Sequence, residues 1–523
     1  MTLPTIITEE IGGSALARRL AAGDAPTAWY VARPTSPEGW RARATLVAAS
    51  SSRDWYDRLT DAFSASGTAR ERLERVSRDG GVVVTTGQQP GLFGGPIYTW
   101  SKAIAALELA NAIERETGIP SAPVFWAATD DADFAEASDT WISFPGGAER
   151  LVARGEPVEG IPMSEQPLGD VSDVLRRLSD GAGSAVDPGV LDAVRLAYRS
   201  GETVGGAYVA LLRHVLQPLG IGVLDASHPA LLRAERPVLT RALERAAVVA
   251  DALSVRSAEL RAVGHEPQVA DVDGLSLVFG RAEGRKVRIP LHQAADVRGR
   301  GVDAALSPDV LLRPLAECAV LPTVAYVGGP GEITYFAQVS AVAVALGIAT
   351  PLVVPRWSCT IVEPHIAGLL DARGVARHEV SDRHAVEGRL ARRSAPVGVV
   401  SALEALRARI DEGTFGLAEA LAEAPGLLAP EAIEGARRQM AWRAERVERR
   451  VVAALKRRDD AMRRDVGTLS GALFPGGKRQ ERALNLLPIL ARYGAGVLDA
   501  MRAAAARHAA ALVHGQPLPV DRA

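Results

Sequence analysis

The stretch VVVTTGQQPGLFGGPIYTWSKA, residues 82–103, joins a short β-branched run to a glycine-rich loop and then to a helix-like pattern. Short apolar runs of this kind are typical of strands that are buried on both faces of a parallel sheet. Pro96 suits the first position of the helix, and Gly118 suits its end. The run APVFWAA at 122–128 predicts a second strand, so this region is a strand–helix–strand unit, which is right-handed almost without exception.

The same pattern returns further along the chain. Apolar runs at 220–228, 321–332 and 350–356 each end in Gly, Pro or a charged residue, and helical segments separate them. We therefore predict an α/β fold with one mostly parallel sheet assembled from distant parts of the chain. Residues 1–80 are predicted to be mainly helical. Two stretches interrupt the sheet: the Gly/Pro-rich 140–168, and 264–310, which we expect to contain a β-hairpin turning at 283–284.

The C-terminal part has a different composition. From Glu431 to Phe474 the chain has no proline, is rich in Arg, Glu and Ala, and repeats apolar residues at spacings of three and four. A helix of ~40 residues would be ~60 Å long, far more than a compact core needs. It must pack on another helix, either 401–425 or 485–513, or on a second copy of the chain. The sequence leaves open both an intramolecular hairpin and a dimerising coiled coil.

Charge and cysteine content exclude some classes of protein. The formal net charge of −2 gives no electrostatic reason to expect nucleic acid as a partner. No apolar run approaches the ~20 residues that span a bilayer, and the N-terminus lacks the layout of a signal peptide. Cys318 and Cys359 match no zinc or redox spacing, so we expect a cytoplasmic protein. Lys is rare in this Arg-rich chain and occurs only at Lys102, Lys286, Lys456 and Lys478.

The loop after the first strand is the first candidate for function, because ligands of open parallel sheets lie beyond the carboxyl ends of the strands. GQQPGLFGGP at 87–96 matches neither a Walker A motif nor a dinucleotide fingerprint. Its glycines nevertheless precede a helix N-terminus, whose free N–H groups favour an anion. A plain turn needs one or two glycines, whereas this loop has four. We therefore expect a ligand cradle, with substrate bound by Gly87, Gln88, Gln89, Gly94, Gly95 and Tyr98.

Three carboxylates, Asp130, Asp131 and Asp133, follow the second strand. Carboxylates this close repel one another unless a cation, a ligand amine or the amides of a helix N-terminus compensate their charge. They can hold Mg²⁺ together with phosphates, or receive an amino group. The simpler alternative is that Asp130 or Asp131 caps a helix. Because the cluster falls at the carboxyl edge of the sheet, we predict that the three residues are catalytic.

Other candidates follow the remaining strands. Asp225 comes after the third strand, and a second glycine-rich loop, GGPGE at 328–332, repeats the design of the first. Arg356 can bind a carboxylate or phosphate through two hydrogen bonds, or form an ordinary ion pair at a strand end. The segment FPGGKRQER at 474–482 can wrap a phosphate, or simply connect two helices.

Several of these blocks resemble a known family. The chain is closely similar to the bacillithiol-biosynthesis cysteine-adding enzymes at TTGQQPGLFGGPIYTWSKA, PVFWAATDDADFAE, LSPDVLLRPL, LPTVAYVGGPGEITYFAQ and FPGGKRQERALNLLPILARYG, in order from about residue 80 to about residue 500. The resemblance implies a Rossmann-like core, similar to that of class I aminoacyl-tRNA synthetases and nucleotidylyl transferases. It also implies two connecting-peptide inserts and a C-terminal α-helical coiled coil through which a homodimer forms.

We divide the chain accordingly. The expected parts are an N-terminal helical segment of the core (1–80), the first half of the core (81–139), the first insert (140–168), a helical continuation of the core (169–263), the second insert (264–310), the last part of the core (311–395) and the coiled-coil domain (396–523).

The resemblance also implies a reaction. The carboxylate of L-cysteine is joined to the amine of glucosaminyl-malate, which gives the thiol bacillithiol. Because joining a carboxylate to an amine is uphill in water, we expect a carboxyl-activating step, with ATP as its usual source and Mg²⁺ as a possible companion. The residues expected to bind the nucleotide are Gly328, Gly329, Gly331, Glu332 and Lys478, and Asp225 and Arg356 are expected to bind substrate.

The chain departs from the family pattern at two places. Ala132 stands where relatives commonly have a His within the acidic cluster, and GHEPQV at 264–269 replaces an aromatic-His pair before Gln. His265 is a candidate to replace one of these histidines. Two other functions stay open: a nucleotidyl transferase or amide ligase that acts on another amino acceptor, and a non-catalytic nucleotide-binding scaffold.

Overall fold

The structure, a computed structural model, describes residues 2–270, 272–295 and 305–521. Part of the predicted insert 264–310, namely 271 and 296–304, lies outside the described residues. The chain divides into two compact units, of which the first comprises Met1–Ile142, Arg150–Glu363 and Gln480–Arg522 and the second comprises Ser143–Glu149 and Pro364–Arg479. Each unit is described by itself below.

The strands are numbered here in chain order. They are β1 (Thr5–Thr8), β2 (Val82–Gln88), β3 (Ser121–Ala127), β4 (Asp139–Phe144), β5 (Gly147–Val152), β6 (Gly222–Asp225), β7 (Leu275–Ala282), β8 (Arg285–Pro290), β9 (Ser307–Pro308), β10 (Thr323–Gly328), β11 (Val353–Pro355) and β12 (Cys359–Val362).

Five strands form the central parallel sheet in the order β11-β10-β2-β3-β6. The predicted parallel sheet is therefore confirmed, with a strand at each of the five predicted places. From the central strand β2 the chain adds β3 and β6 on one side, and later adds β10 and β11 on the other. The strand order thus reverses between β2 and β10, and the crevice at the carboxyl ends of these two strands is where ligands of such sheets bind.

The helices of the first unit cover both faces of this sheet. They are Ala15–Ala21, Pro37–Ser50, Trp55–Phe63, Gly67–Asp79, Ile97–Thr117, Phe134–Ala137, Ser172–Ala182, Gly189–Ala197, Val204–Leu216, Pro229–Glu244, Ala246–Ala262, Arg313–Val320, Pro330–Leu346, Leu487–Tyr493 and Gly496–Val513.

The helix Ile97–Thr117 shows why the strand–helix–strand unit forms. It begins one residue after the predicted first position, since Pro96 is its N-cap, and it ends where Gly118 takes up a left-handed conformation at φ 72°. Most of its side chains are buried, because it packs against β2 and β3 on one side and against Gly496–Val513 on another. A helix covered in this way carries apolar residues nearly all round its surface.

Two apolar clusters hold the sheet and its helices together. One joins Trp55–Phe63 and Gly67–Asp79 to β2, β3 and β6. The other joins Pro330–Leu346 and Ala246–Ala262 to β10 and to the β7–β8 hairpin. The hairpin is thereby fixed to the same helices that support the carboxyl end of β10.

Both predicted interruptions of the sheet contain β-hairpins. The first is β4–β5, and the second is β7–β8, with β9 added to β7 as a third strand. The second turns at the predicted position, where Glu283 and Gly284 have φ values of 52° and 78°. Positive φ at both central residues is the geometry that matches the twist of a two-residue hairpin.

The second unit is helical. Its helices are Pro364–Arg373, Arg383–Arg393, Val397–Ala422, Pro430–Arg458 and Asp460–Leu473. Val397–Ala422 packs against Pro430–Arg458, which confirms the intramolecular hairpin and one of its two predicted partners. The continuous helix expected over 431–474 is wrong in one respect: the chain breaks at Asp459, whose side chain accepts the Met462 N–H at 2.8 Å and caps the following helix.

The predicted coiled-coil domain at 396–523 stays a prediction. In the structure the second unit ends at Arg479, and the chain then returns to the first unit. The physical reason is the apolar face of Gly496–Val513, which packs on Ile97–Thr117 rather than on the long helices. Within the described residues, no helix has both the length and the hydropathy of a membrane span.

Candidate functional site

A cavity of about 800 Å³ opens at the carboxyl ends of β2, β3 and β10, where the strand order reverses. Its wall contains the start of the first glycine-rich loop, the acidic segment after β3 and the second glycine-rich loop. The β7–β8 hairpin closes one side with Phe279, Lys286 and Arg288. The insert therefore contributes directly to the place where the fold predicts a ligand.

Lys102 joins the two glycine-rich loops beneath the cavity. Its side chain is 1% exposed, and its ammonium donates to the carbonyl of Gly87, to Oε1 of Gln88 at 3.2 Å and to Oε2 of Glu332 at 2.7 Å. Burial lowers the pKa of Lys102, and the charge of Glu332 opposes this effect. Because its donors are used inside the protein, Lys102 positions the loops instead of binding an external anion.

Glu332 occupies the N-terminus of the helix Pro330–Leu346. It accepts hydrogen bonds from the hydroxyl of Tyr326 and from the N–H of Gly329, the latter at 2.7 Å. Burial raises the pKa of Glu332, but the Lys102 ammonium and these hydrogen bonds outweigh burial and hold the pKa below its usual value. An ionised carboxylate therefore accepts the N–H of Gly329 at this helix N-terminus, and nucleotide binding by the second loop stays a prediction.

Two buried arginines on the cavity wall are also bound to carboxylates. Arg313 pairs with Glu317 at 2.8 Å, and its guanidinium lies 4.9 Å from the ring centre of Tyr326. Arg356 donates to both carboxylate oxygens of Glu481, at 2.7 and 2.8 Å. Of the two alternatives for Arg356, the structure shows the ion pair at a strand end.

A fourth ion pair, between Arg288 and Asp309, joins the hairpin to the segment after β9. The two groups lie 3.0 Å apart, and Asp309 also accepts the N–H groups of Leu311 and Leu312 at 3.0 Å. Burial raises the pKa of Asp309 to about 6, although Arg288 opposes this shift.

Asp130 is bound by a lysine from the hairpin. The Lys286 ammonium lies 3.0 Å from Oδ2 of Asp130 and 2.8 Å from its carbonyl oxygen. The same ammonium lies 4.7 Å from the ring centre of Phe279, within the range of a cation–π contact. The second insert therefore neutralises one carboxylate of the acidic cluster.

Asp131 and Asp133 have different surroundings. Asp133 caps the helix Phe134–Ala137 by accepting the N–H of Glu136 at 3.2 Å, so the cap expected at Asp130 or Asp131 is instead Asp133. Asp131 accepts the N–H of Asp133 at 2.9 Å. Burial raises the pKa of Asp131, the charge of Asp130 adds to this, and Lys286 opposes it. Asp131 is thus a carboxylate that holds a proton more readily than usual.

Uncharged donors contact the acidic segment on the cavity wall. The Gln88 amide donates to Oε1 of Gln89 and to the hydroxyl of Tyr98, each at 3.2 Å, and Gln89 donates to the carboxylate of Glu136. Partial burial raises the pKa of Glu136, and the charges of Asp133 and Asp131 add to this. The arrangement combines amide and hydroxyl groups with carboxylates that would be stabilised by an incoming cation.

Comparisons with known proteins agree with this architecture. Residues 14–357 match the family described as "Bacillithiol biosynthesis BshC, N-terminal Rossmann-like domain", and residues 359–511 match "Bacillithiol biosynthesis BshC, C-terminal coiled-coil domain". The chain belongs to the BshC family. Relatives named "Putative cysteine ligase BshC" include one from Solibacter usitatus, 33% identical with 81% of this chain and 82% of the relative covered, and one from Koribacter versatilis, 32% identical with 85% of each covered.

Membership of the BshC family confirms the predicted fold class, a Rossmann-like core followed by a helical coiled-coil domain. The structure brings many of the predicted site residues together on the wall of one cavity. These are Gly87, Gln88, Gln89, Tyr98, Asp130, Asp131, Asp133, Gly329, Gly331, Glu332 and Arg356. Ala132, which stands between Asp131 and Asp133, lies on the same wall.

Gly94 and Gly95, which are predicted to bind substrate, are not among the described residues that line the cavity, and their role stays a prediction. Gly94 has φ 81°, and a Cβ there would lie 2.3 Å from the ring of Trp100. The Asn485 amide donates to carbonyls of this segment, including that of Gly95 at 3.3 Å. The first loop is therefore a cradle at 87–89 and a closely packed turn at 91–95.

Three other predicted residues lie elsewhere. Asp225 ends β6, where it accepts the hydroxyl of Thr129 and the N–H of Ser227, and Gly328 ends β10 as a residue of the sheet; neither is among the described residues that line the cavity. Lys478 belongs to the second unit, where its side chain is exposed. Its role in nucleotide binding stays a prediction.

Several charged residues of the cavity were not predicted from the sequence. They are Lys102, Glu136, Lys286, Arg288, Asp309, Arg313 and Arg482. One signal pointed to two of them, since two of the four lysines in this Arg-rich chain lie here. The others come from distant parts of the sequence and become neighbours only through the fold.

Proposed function

We propose that this protein is a ligase that joins the carboxylate of L-cysteine to the amine of glucosaminyl-malate, in the last step of bacillithiol biosynthesis, with the carboxyl activated by ATP. Family membership and the printed names of its relatives support a cysteine ligase of this pathway. The observation that carries the proposal is the acidic segment, where Asp131 faces an 800 Å³ cavity with a raised pKa.

Asp131 accepts the proton that the attacking amine must lose. As the amine nitrogen forms the new bond to the activated carboxyl carbon, the bond from that carbon to its activating group breaks, and the N–H proton moves to the carboxylate. A base with a raised pKa is suited to this transfer near neutral pH. Lys286 binds the neighbouring Asp130, and Asp133 caps a helix, so the three aspartates have separate tasks.

Substrate hydroxyl and carboxyl oxygens are bound by the uncharged donors of the first loop. Gln88, Gln89 and Tyr98 line the same cavity and offer amide and phenol groups without a net charge. Groups of this kind fix orientation in sugar sites, because they match the hydrogen-bonding pattern of a polyol at little electrostatic cost.

We propose that the second loop binds ATP, and Gly329, Gly331 and Glu332 of this loop line the cavity. No group of three or more His, Cys, Asp or Glu side chains among the described residues is placed to hold a metal ion. We therefore propose that Mg²⁺, if the reaction uses it, enters with the nucleotide phosphates.

We further propose that the protein acts in the cytoplasm as a homodimer formed through its helical hairpin. Phe415, Trp442 and Val447 are exposed on the hairpin helices, at 66%, 51% and 49%. Apolar side chains exposed on a long helix are candidates for burial against a second copy. Sedimentation of the purified protein and of Trp442→Glu tests this, since the substitution should yield a monomer; an unchanged mass would exclude this face.

The test of the reaction is a direct assay for the product. Purified protein is incubated with glucosaminyl-malate, L-cysteine and Mg²⁺, with and without ATP, and bacillithiol is measured by mass. Cysteine methyl ester, whose carboxyl group is blocked from activation, and N-acetylated glucosaminyl-malate, which has no free amine, serve as controls. We expect product only with ATP and only from the two unmodified substrates.

Each other outcome shows which part of the proposed reaction is wrong. Product formed without ATP would support the ligase but contradict activation of the carboxyl group by ATP. Product with a different amine in place of glucosaminyl-malate would favour the alternative amide ligase. Ligand binding without any turnover, by folded protein, would favour the scaffold.

A further inference from the structure

Among the described residues, six cationic side chains line the cavity, and five of them are paired with a carboxylate of the protein. They are Lys102, Lys286, Arg288, Arg313, Arg356 and Arg482. The first five are each within 3.0 Å of a carboxylate oxygen of the protein. In the described part of the chain, Arg482 has no such partner, and its side chain is exposed to the cavity opening.

We propose that Arg482 is the specificity-determining residue that binds a carboxylate of the malyl group, an inference that rests on the proposed function. An arginine that lacks an internal partner keeps both amino groups free for a planar anion, and a carboxylate matches their geometry.

The segment that carries Arg482 is held rigidly on both sides. Immediately before it, Glu481 is 2% exposed and binds Arg356, with a further hydrogen bond from Ser358 at 2.8 Å. Shortly after it, Asn485 is buried and donates to the carbonyl of Phe93 at 3.1 Å. Arg482 therefore projects from a fixed backbone, which reduces the entropy that a flexible arginine loses when it binds.

Arg482 and the acidic Glu136 line the same cavity as Tyr98. Burial raises the pKa of Tyr98 to about 12, the charge of Glu136 adds to this, and the charge of Arg482 opposes it, so Tyr98 lies within the field of both. The cavity thus combines Arg482, which has no carboxylate partner among the described residues, with two carboxylates, Asp131 and Glu136, that have no cationic partner among them. A ligand that carries both an amine and a carboxylate is complementary to this pattern.

Two substrates have both groups, and their chemistry separates them. The carboxylate of cysteine must lose its charge when it is activated, so a salt bridge to arginine would stabilise its unreacted state. The malyl carboxylates take no part in bond formation and keep their charge throughout. An arginine that binds a spectator carboxylate strengthens binding without opposing the reaction, which favours the malyl group.

The experiment compares wild type, Arg482→Gln, Arg482→Lys and the control Arg78→Gln, which removes an exposed arginine paired only with Asp79 at the surface. Binding of L-malate is measured by calorimetry. KM is measured for glucosaminyl-malate, cysteine and ATP, and for a glucosaminide with a neutral aglycone. We expect Arg482→Gln to weaken malate binding and raise the KM for glucosaminyl-malate about 10- to 100-fold, with kcat nearly unchanged.

The matched measurements decide between the possible sources of the anion. Arg482→Lys should bind malate more tightly than Arg482→Gln but more weakly than wild type, because lysine keeps the charge but cannot form the two parallel hydrogen bonds. The neutral glucosaminide should react equally well with wild type and Arg482→Gln. A rise confined to the KM for ATP would show that Arg482 binds phosphate and would overturn the proposal, as would an unchanged KM for glucosaminyl-malate in a variant with wild-type thermal stability.

The calorimetric measurement of malate binding tests this inference independently of the proposed reaction. If wild type makes no bacillithiol but binds malate, and Arg482→Gln abolishes that binding, the result supports the anion site and contradicts the ligase. If wild type makes bacillithiol, and neither malate binding nor the KM for glucosaminyl-malate depends on Arg482, the result supports the ligase and contradicts the anion site.

Discussion

Among the charged residues of the cavity wall, Lys102, Arg313 and Arg356 are each bound to a carboxylate of the protein, and we call these the paired side. Asp131 and Glu136 line the same cavity without a cationic partner among the described residues, and we call these the open side. All five side chains are ionisable groups on the wall of one cavity. The difference is whether the fold itself has already compensated the charge.

This difference separates structural from chemical tasks. A charge that is removed from water and paired inside the chain is expensive to disturb, but it has little left to offer a ligand. A partly buried charge without a partner costs stability in the free protein, and a ligand of opposite charge relieves that cost. The paired side should therefore respond to mutation with a loss of stability, and the open side with a loss of turnover.

The largest expected effect comes from breaking a buried pair. Arg356→Met leaves Glu481 buried without its cation, and we expect the free energy of unfolding to fall by about 3–5 kcal/mol. Urea denaturation measures this. Arg78→Gln, which breaks an exposed pair, should change the same quantity by less than about 1 kcal/mol.

A second variant distinguishes a structural Arg356 from one that binds substrate. Arg356→Met combined with Glu481→Leu removes both charges, and it should recover much of the lost stability because no uncompensated charge remains. If the single variant unfolds like wild type, the pair is not structural and the comparison between the two sides fails.

The next effect is on turnover. Asp131→Asn keeps the size and the hydrogen bond from Asp133 but cannot take a proton, so we expect kcat to fall about a hundredfold or more while the thermal midpoint stays close to wild type. Bacillithiol formation under saturating substrates is the measurement. Asp133→Asn should lower kcat far less, because Asn is also a good N-cap. Equal losses in the two variants would contradict separate tasks for the aspartates.

Most of the sheet could be predicted from local sequence. The β-branched run of β2 and the glycines after it report a strand buried on both faces, and each of the other four strands carries the same kind of signal. The turn at Glu283 and Gly284 was predictable for the same reason, because short-range turn chemistry fixes a hairpin.

The division of the cavity into two sides could not be predicted in this way. Whether Arg356 faces a ligand or an internal partner depends on Glu481, which is far away in sequence. The glycines of the first loop look alike in sequence, yet Gly87 lines the cavity, whereas Gly94 packs so closely on the ring of Trp100 that a side chain there would clash with it. Pairing between distant side chains is decided by the fold, so sequence patterns located the residues but not their partners.

The smallest expected effect concerns the boundary between the two sides, where Lys286 binds Asp130 beside Asp131. Lys286→Met removes a cation that lowers the pKa of Asp131, so that pKa should rise further. Because Asp131 acts as its carboxylate, the fall of kcat/KM on the acidic side should move to higher pH, while the rate at alkaline pH changes little. The pH profiles of wild type, Lys286→Met and Lys286→Arg measure this, and Lys286→Arg should restore the wild-type position because it keeps the charge. A uniform loss of rate at every pH, without movement of the acidic limb, would mean that Lys286 only holds the hairpin in place.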